Sequence, residues 1–241
     1  MTLRNGSPSL FAALLVAAVF VLASCGAEQE VDRAEAPASD SEAETPAPAA
    51  DAVEGGPARV GEPAPRFTLT DTEGKVHRLA DYLADGKTVV LEWFNPDCPF
   101  IQKHHAHHKT MNELEARFRD QDVVWLAVNS GAPGKQGHGR DHNRQAHERF
   151  GMTFPILLDE EGRVGRAYEA KTTPHMYVIS SDGILLYQGA IDDNRHPTDL
   201  GVRNHVAAAL EEHLAGEEVS VTTSEPYGCS VKYGEARIQA M

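Results

Sequence analysis

Apolar residues recur along the chain in short blocks whose period changes from one to the next. Val89 to Phe94 and Val123 to Val128 are almost unbroken apolar runs, the pattern of strands covered on both faces. Pro155 to Leu158, Met176 to Ile179 and Ile184 to Tyr187 are shorter runs of the same kind. The last two are joined by the turn Ser181-Asp182-Gly183 and predict a hairpin. Pro63 to Thr70, the turn Asp71 to Gly74, and Val76 to Leu79 predict a second hairpin ahead of them. Between the runs the spacing lengthens. Met111, Leu114 and Phe118 form the stripe of one helix over Phe100 to Phe118, and a polar helix is expected from Asp141 to Phe150. Val202, Val206, Leu210 and Leu214 predict a final helix capped by Thr198 or Asp199. Strands alternating with helices and closing on a hairpin and a helix predict an α/β fold. Its central mixed sheet is flanked by helices and carries an N-terminal hairpin extension.

The two ends of the chain break this pattern. Leu10 to Ala23 is an uncharged apolar stretch behind Arg4, too short for a comfortable membrane span, and reads as an export signal over residues 1–24. Its ending, Leu22-Ala23-Ser24-Cys25-Gly26, resembles a bacterial lipobox, which makes Cys25 the expected lipidation site. Acyl chains there would tether the protein to a membrane without spanning it. Residues 25–58 then read as an acidic Ala/Pro-rich linker. Between Ala27 and Gly56, nine acids face the single base Arg33 and almost no large apolar residue is present. That stretch supplies −8 of the net charge of −14, so acidity says little about the domain's own ligands. With no basic stripe, nucleic acid is not an expected partner. Residues 59–216 form the expected domain, and 217–241 a tail that carries Cys229.

Chemistry concentrates where the first long strand breaks. Asn95-Pro96-Asp97 interrupts the Val89–Phe94 run, and Cys98-Pro99 opens the helical pattern that follows. Proline fits the first helical turn, and a thiol there lies near the positive end of the helix dipole, which favours thiolate. Lys103 and nearby histidines would add to that effect, and Asp97 would oppose it. Cys98 is therefore the expected nucleophile. Beyond Cys25, the chain has two cysteines, Cys98 and Cys229, too few for a disulfide scaffold and enough for one redox pair.

This order of elements resembles the thioredoxin fold, and more closely the redoxin branch related to alkyl hydroperoxide reductase and to membrane-tethered periplasmic thioredoxins. The resemblance rests on Trp93-Phe94-Asn95-Pro96-Asp97-Cys98-Pro99, on Thr173-Pro174 and on the Ser181-Asp182-Gly183 turn, and covers about Val60 to Leu214. It implies a cis Pro174 beside the reactive sulfur, with the neighbouring Thr173 backbone pairing with substrate as an added strand. It also implies a proton-relay carboxyl at Glu92. From the residues alone, Glu92 either does such acid–base work or faces an exposed sheet edge. The sequence departs from the family at two points. Ile101 stands where Cys-x-x-Cys has its second cysteine. Leu91 and Asn95 stand where a peroxiredoxin has Pro and Thr, although Asn95 can still donate a hydrogen bond to a peroxide. Related redoxin-domain proteins carry a similar Gly-Cys-x-x-Lys-aromatic ending, which makes Cys229 a candidate resolving thiol.

The expected activity is that of an exported, lipid-anchored thiol oxidoreductase of the bacterial cell envelope, on the periplasmic or extracytoplasmic side. It would use no cofactor, act on a peroxide or a disulfide, and be recycled by a thiol/disulfide donor protein or a small thiol. A second class is a copper-binding or copper-delivery protein using Cys98 with His104 and His108, whose four-residue spacing suits a transition metal. A third is a thioredoxin-fold interaction module that makes no use of the thiol.

Overall fold

The computed structural model describes residues 52–235. β1 (Ala52–Glu54), β2 (Arg66–Asp71) and β3 (Val76–Arg78) form the N-terminal antiparallel unit, with β2 paired to both others. Asp71 Oδ1 accepts from the amides of Glu73 and Lys75 (2.8 and 2.9 Å), which closes the turn into β3. The acidic linker therefore ends before residue 58. Ala52–Glu54 lie in register with Arg66–Thr68, and the buried Ala58 donates its amide to Ala167 O at 2.8 Å. Backbone pairing to a strand edge orders a segment whose side chains offer little to bury. The expected export signal and Cys25 lie outside the described residues, among which no helix is long and apolar enough to cross a membrane.

After α1 (Leu79–Ala84) comes β4 (Thr88–Trp93), the strand the sheet is built around. It lies parallel to β5 (Val123–Asn129) on one side and antiparallel to β8 (Met176–Ile179) on the other. β6 (Ile156–Leu158) continues the parallel part beyond β5 and joins β2. β9 (Leu185–Gly189) closes the far edge beside β8. The strand order is the thioredoxin-like arrangement expected from the sequence, with the N-terminal unit added beyond β6.

Alternation along β4 sends its side chains to two apolar layers. Val89, Leu91 and Trp93 join Leu69, Leu79, Leu126, Val164 and Tyr177 on one face. Val90 and Phe94 join Cys98, Met111, Phe118, Phe150 and Leu210 on the other. By the same alternation, Glu92 points into the second layer.

Two helices differ from expectation. The Phe100–Phe118 segment is not one helix: α2 (Pro99–Gln102) runs into a π-helical turn over Lys103–His107. The chain then breaks at Lys109, whose φ is +53°, before α3 (Thr110–Phe118). The wider turn buries three consecutive polar side chains, Lys103, His104 and His105, which a regular helix would spread around its circumference. α4 (Arg140–Phe150) and α5 (Arg163–Ala167) flank the sheet. α6 (His205–Leu214) starts later than Thr198 or Asp199. Asn204 caps it by accepting from the Ala207 amide at 2.9 Å, and Val202 is fully exposed ahead of it.

Candidate active site

Cys98 sits where β4 stops. The carbonyl of Asn95 accepts from the Cys98 amide (3.1 Å) and its side-chain oxygen from the Asp97 amide (3.0 Å), so Asn95 shapes the turn from both ends. Its amide nitrogen is turned to the carbonyl of Gln136 at 3.2 Å. Gly137 (φ +81°) packs so closely that a Cβ there would meet Asn95 Oδ1 at 2.3 Å. One of the two N–H groups of the amide expected to face a peroxide is thus engaged with the Gly131–Gly139 loop. Cys98 occupies the N-cap of α2 with Pro99 just after it, is wholly buried, and donates its thiol proton to Thr173 O at 2.9 Å.

The other wall comes from the segment before β8. β7 (Thr172–Thr173) leads into a cis Thr173–Pro174 peptide bond, and the tail adds β10 (Cys229–Ser230) antiparallel to β7. Cys229 lies opposite Thr173, whose carbonyl accepts from the Cys98 thiol, so the two cysteines flank one residue. Burial, and then the neighbouring Cys98 thiol, push the Cys229 thiol up to about 11, against a smaller opposing effect of Lys232. Gly228 makes the close approach possible. At φ +136°, its missing Cβ would stand 2.2 Å from Thr173 O. The tail is therefore neither loose nor short of structure. After β10, the Lys232 carbonyl accepts from Ala132 N (2.9 Å), and Tyr233 donates to Ala170 O (2.9 Å). The Tyr233 ring lies over Gly162 and Gly165, where Cβ atoms would meet it at 2.6 and 2.4 Å. Between Tyr227 and Tyr233 no run of apolar or β-branched residues announces this pairing, because backbone bonds and two tyrosines hold it.

Glu92 is buried between β5 and β8, opposite Ala127 and Met176, so the exposed-edge alternative falls. Its Oε1 lies 2.8 Å from His105 Nε2, and both residues are fully buried. Phe94, Phe150 and Phe154 surround the imidazole with centroid distances of 5.3–6.2 Å. Glu92 Oε2 and His105 Nδ1 have no hydrogen-bond partner among the described residues.

Lys103 finds its polar partners away from the Cys98 thiol. It is turned to Asn194 O (2.8 Å), Tyr227 Oη (3.2 Å) and Asp192 Oδ2 (3.5 Å), and burial lowers its pKa against the pull of Asp192. His104 Nε2 meets Tyr227 Oη at 2.9 Å, and His108 Nε2 meets Thr198 O at 2.6 Å. These two imidazoles are thus committed to different partners and do not form the metal pair their spacing suggested. Among the described residues, no group of three or more His, Cys, Asp or Glu side chains is arranged to hold a metal ion. Asp97 pairs with His142 (2.9 Å). The sequence reading missed His105, Asp192 and Tyr227. The visible signals were three polar residues in a row in a helix facing the core and a tyrosine two positions before Cys229.

The family model described as AhpC/TSA matches residues 60–188. The thiol-disulfide oxidoreductase ResA of Geobacillus thermodenitrificans is 37% identical over 124 residues, which is 52% of this chain and 65% of that protein. The match thus spans less than two thirds of that relative's length. A crystal structure of an uncharacterized conserved protein from Geobacillus kaustophilus superposes with a TM-score of 0.65 at 29% identity, covering 74% of this chain and 94% of that one. A Chlorobium tepidum protein assigned as the thiol:disulfide interchange protein DsbE has a TM-score of 0.50 at 23% identity, over 66% and 97% of the two chains.

Proposed function

The chain belongs to the AhpC/TSA family, and from that premise we propose that it is a thiol-dependent oxidoreductase with Cys98 as nucleophile and Cys229 as resolving thiol. The observation that carries the proposal is that both cysteines meet at Thr173, Cys98 through its thiol on the Thr173 carbonyl and Cys229 in register opposite, beside the cis Pro174. The Cys98 thiolate attacks one sulfur of a substrate disulfide, forming a mixed disulfide and releasing the other sulfur as thiolate. Cys229 then attacks Cys98 Sγ, closes the Cys98–Cys229 bond and releases the second thiolate. With a peroxide, Cys98 becomes a sulfenate as water or alcohol departs, and Cys229 expels the remaining oxygen as water. In both cases the substrate gains two electrons, and a thiol/disulfide donor protein or a small thiol restores the dithiol.

The order of attack follows from the thiols' surroundings. Cys229, held near 11, stays protonated until Cys98 has reacted. Its proton then needs an acceptor. Glu92, on the same face of β4 as Cys98's layer and with Oε2 unpartnered among the described residues, is suited to take it. Asn95 and Thr173 shape the pocket rather than react. β10 occupies the strand edge at which an extended polypeptide would add, so the closed tail favours a small oxidant. A protein disulfide would require β10 to peel away. The uncharged apolar stretch behind Arg4 and the lipobox-like Cys25 support an exported, membrane-tethered form.

The test treats the full chain with one equivalent of peroxide or of a small disulfide and maps its cysteines by mass. A Cys98–Cys229 disulfide is expected, with Cys98→Ser inert and Cys229→Ser trapped as a Cys98 sulfenate or mixed disulfide. Two free thiols after exposure would refute the reading.

A further inference from the structure

The tail's anchoring has a chemistry of its own. Tyr227 stands two residues before Cys229, and its hydroxyl meets three buried groups from two separate parts of the fold. Lys103 Nζ (3.2 Å) and His104 Nε2 (2.9 Å) come from the π-helical turn that follows Cys98. Asp192 Oδ1 comes from the loop after β9. Tyr227 is 6% exposed, Asp192 4%, and Lys103 and His104 not at all.

A phenol has one proton to give and two lone pairs to receive. Lys103 can only donate and Asp192 is a carboxylate, so the hydroxyl gives its proton to Asp192 and accepts from Lys103. The remaining lone pair takes the Nε2 proton of His104, whose Nδ1 is left facing Thr110 Oγ1 at 3.4 Å. Every valence of the hydroxyl is used. Around it, Asp192 Oδ2 accepts from Gly201 N (2.8 Å) and Oδ1 from Asn194 N (3.1 Å), and the Tyr227 ring lies 5.7 Å from that of Phe100, two residues after Cys98. A fully matched buried network of this kind admits one arrangement of its members.

We propose that Tyr227 is a positioning residue for disulfide closure: its hydroxyl ties the Cys229 tail to the turn that carries Cys98 and sets the approach of one sulfur to the other. This rests on the resolving role of Cys229. It touches neither the oxidant nor a reacting sulfur, so its effect falls on the second step alone. In that step the Cys229 thiolate attacks Cys98 Sγ of the mixed disulfide, the bond to the departing sulfur breaks, and one thiolate leaves.

The experiment uses the reduced full chain and one equivalent of an aromatic disulfide whose released thiolate is coloured. A Cys98→Ser/Cys229→Ser double variant gives the background. Attack by Cys98 releases the first thiolate and closure by Cys229 the second, so the two steps are timed separately. In Tyr227→Phe the first release is expected at the wild-type rate. The second should slow by roughly tenfold to a hundredfold, as fits the loss of hydrogen bonds to charged partners, with the Cys98 adduct accumulating by intact mass. Unchanged closure would overturn the proposal, and so would equal slowing of both steps, which marks a purely structural residue. Cys229→Ser separates the two readings, since failure to trap a Cys98 adduct there would overturn the resolving role itself. Should Tyr227→Phe prove unfolded by circular dichroism, His104→Asn removes one donor to the same hydroxyl. It must then slow closure alone, and wild-type closure in a folded His104→Asn protein would overturn the proposal.

Discussion

At the Tyr227 hydroxyl every donor and acceptor is matched, whereas Glu92 and His105 bond one another and each leaves a polar atom unpartnered among the described residues. Both clusters draw on the same π-helical turn: Lys103 and His104 face the tail, and the next residue, His105, faces β4. The matched cluster joins three separate segments, so its order holds them in register. The unmatched pair spans two elements in an aromatic cage, and an open valence beside a carboxylate leaves room for a proton to be taken up or lost. Saturation fixes position; an open valence permits proton traffic.

The largest expected effect tests the saturated side. Asp192→Ala leaves the Lys103 ammonium buried without its carboxylate, and loss of one partner of a buried pair should lower stability by about 3–5 kcal/mol. Denaturant unfolding at neutral pH measures it, and a loss below about 1 kcal/mol, the scale of an exposed pair, would show that the hub is not a closed unit.

Glu92→Gln should do the reverse. It keeps the shape, changes stability by less than about 1.5 kcal/mol because an amide can still bond His105, and slows disulfide formation by a factor on the order of a hundred if the carboxyl moves the proton. Stopped-flow closure beside an unfolding curve checks both. A large stability loss with normal closure would make Glu92 structural.

Acid should separate the clusters next. Burial pulls His104 and His175 down to about 3, although Asp192 pulls His104 the other way. Between about pH 6.5 and 3 the unfolded chain binds protons at these rings that the folded one refuses, so stability falls as pH falls through that window and is complete above it. Urea midpoints for wild type should drop from pH 7 to 4.5, and the drop should be smaller in His104→Gln. An equal drop in both would remove His104 from the cause.

The smallest effect concerns the thiol pair. Part of the upward push on Cys229 is the Cys98 thiol itself, so Cys98→Ser should bring the midpoint of Cys229 alkylation below about 11. An unmoved midpoint would leave burial as the sole cause.

The strands at Val89–Phe94, Val123–Val128 and Met176–Ile179 were legible because burial on both faces writes itself as an apolar run, and the break at Asn95-Pro96-Asp97 marked where Cys98 would be presented. The helix over Phe100–Phe118 was misread because polar residues in a row look solvent-facing, and only their partners on β4 and in the tail account for their burial. Asn95 was read by its chemistry, whereas its neighbours Gln136 and Gly137, some forty residues away, decide what its amide does.

By itself, then, the sequence determined the layered α/β core, the placement of Cys98 where β4 ends and the absence of a local second cysteine at Ile101, since each depends on residue type and near neighbours. The tertiary structure alone decided that Cys229 meets Cys98, that Glu92 pairs with His105 and that Tyr227 joins the tail to the turn. Those contacts span 131, 13 and 123–124 residues, and such partners are chosen by how the sheet and the π-helical turn fold the chain back on itself, which no local pattern encodes.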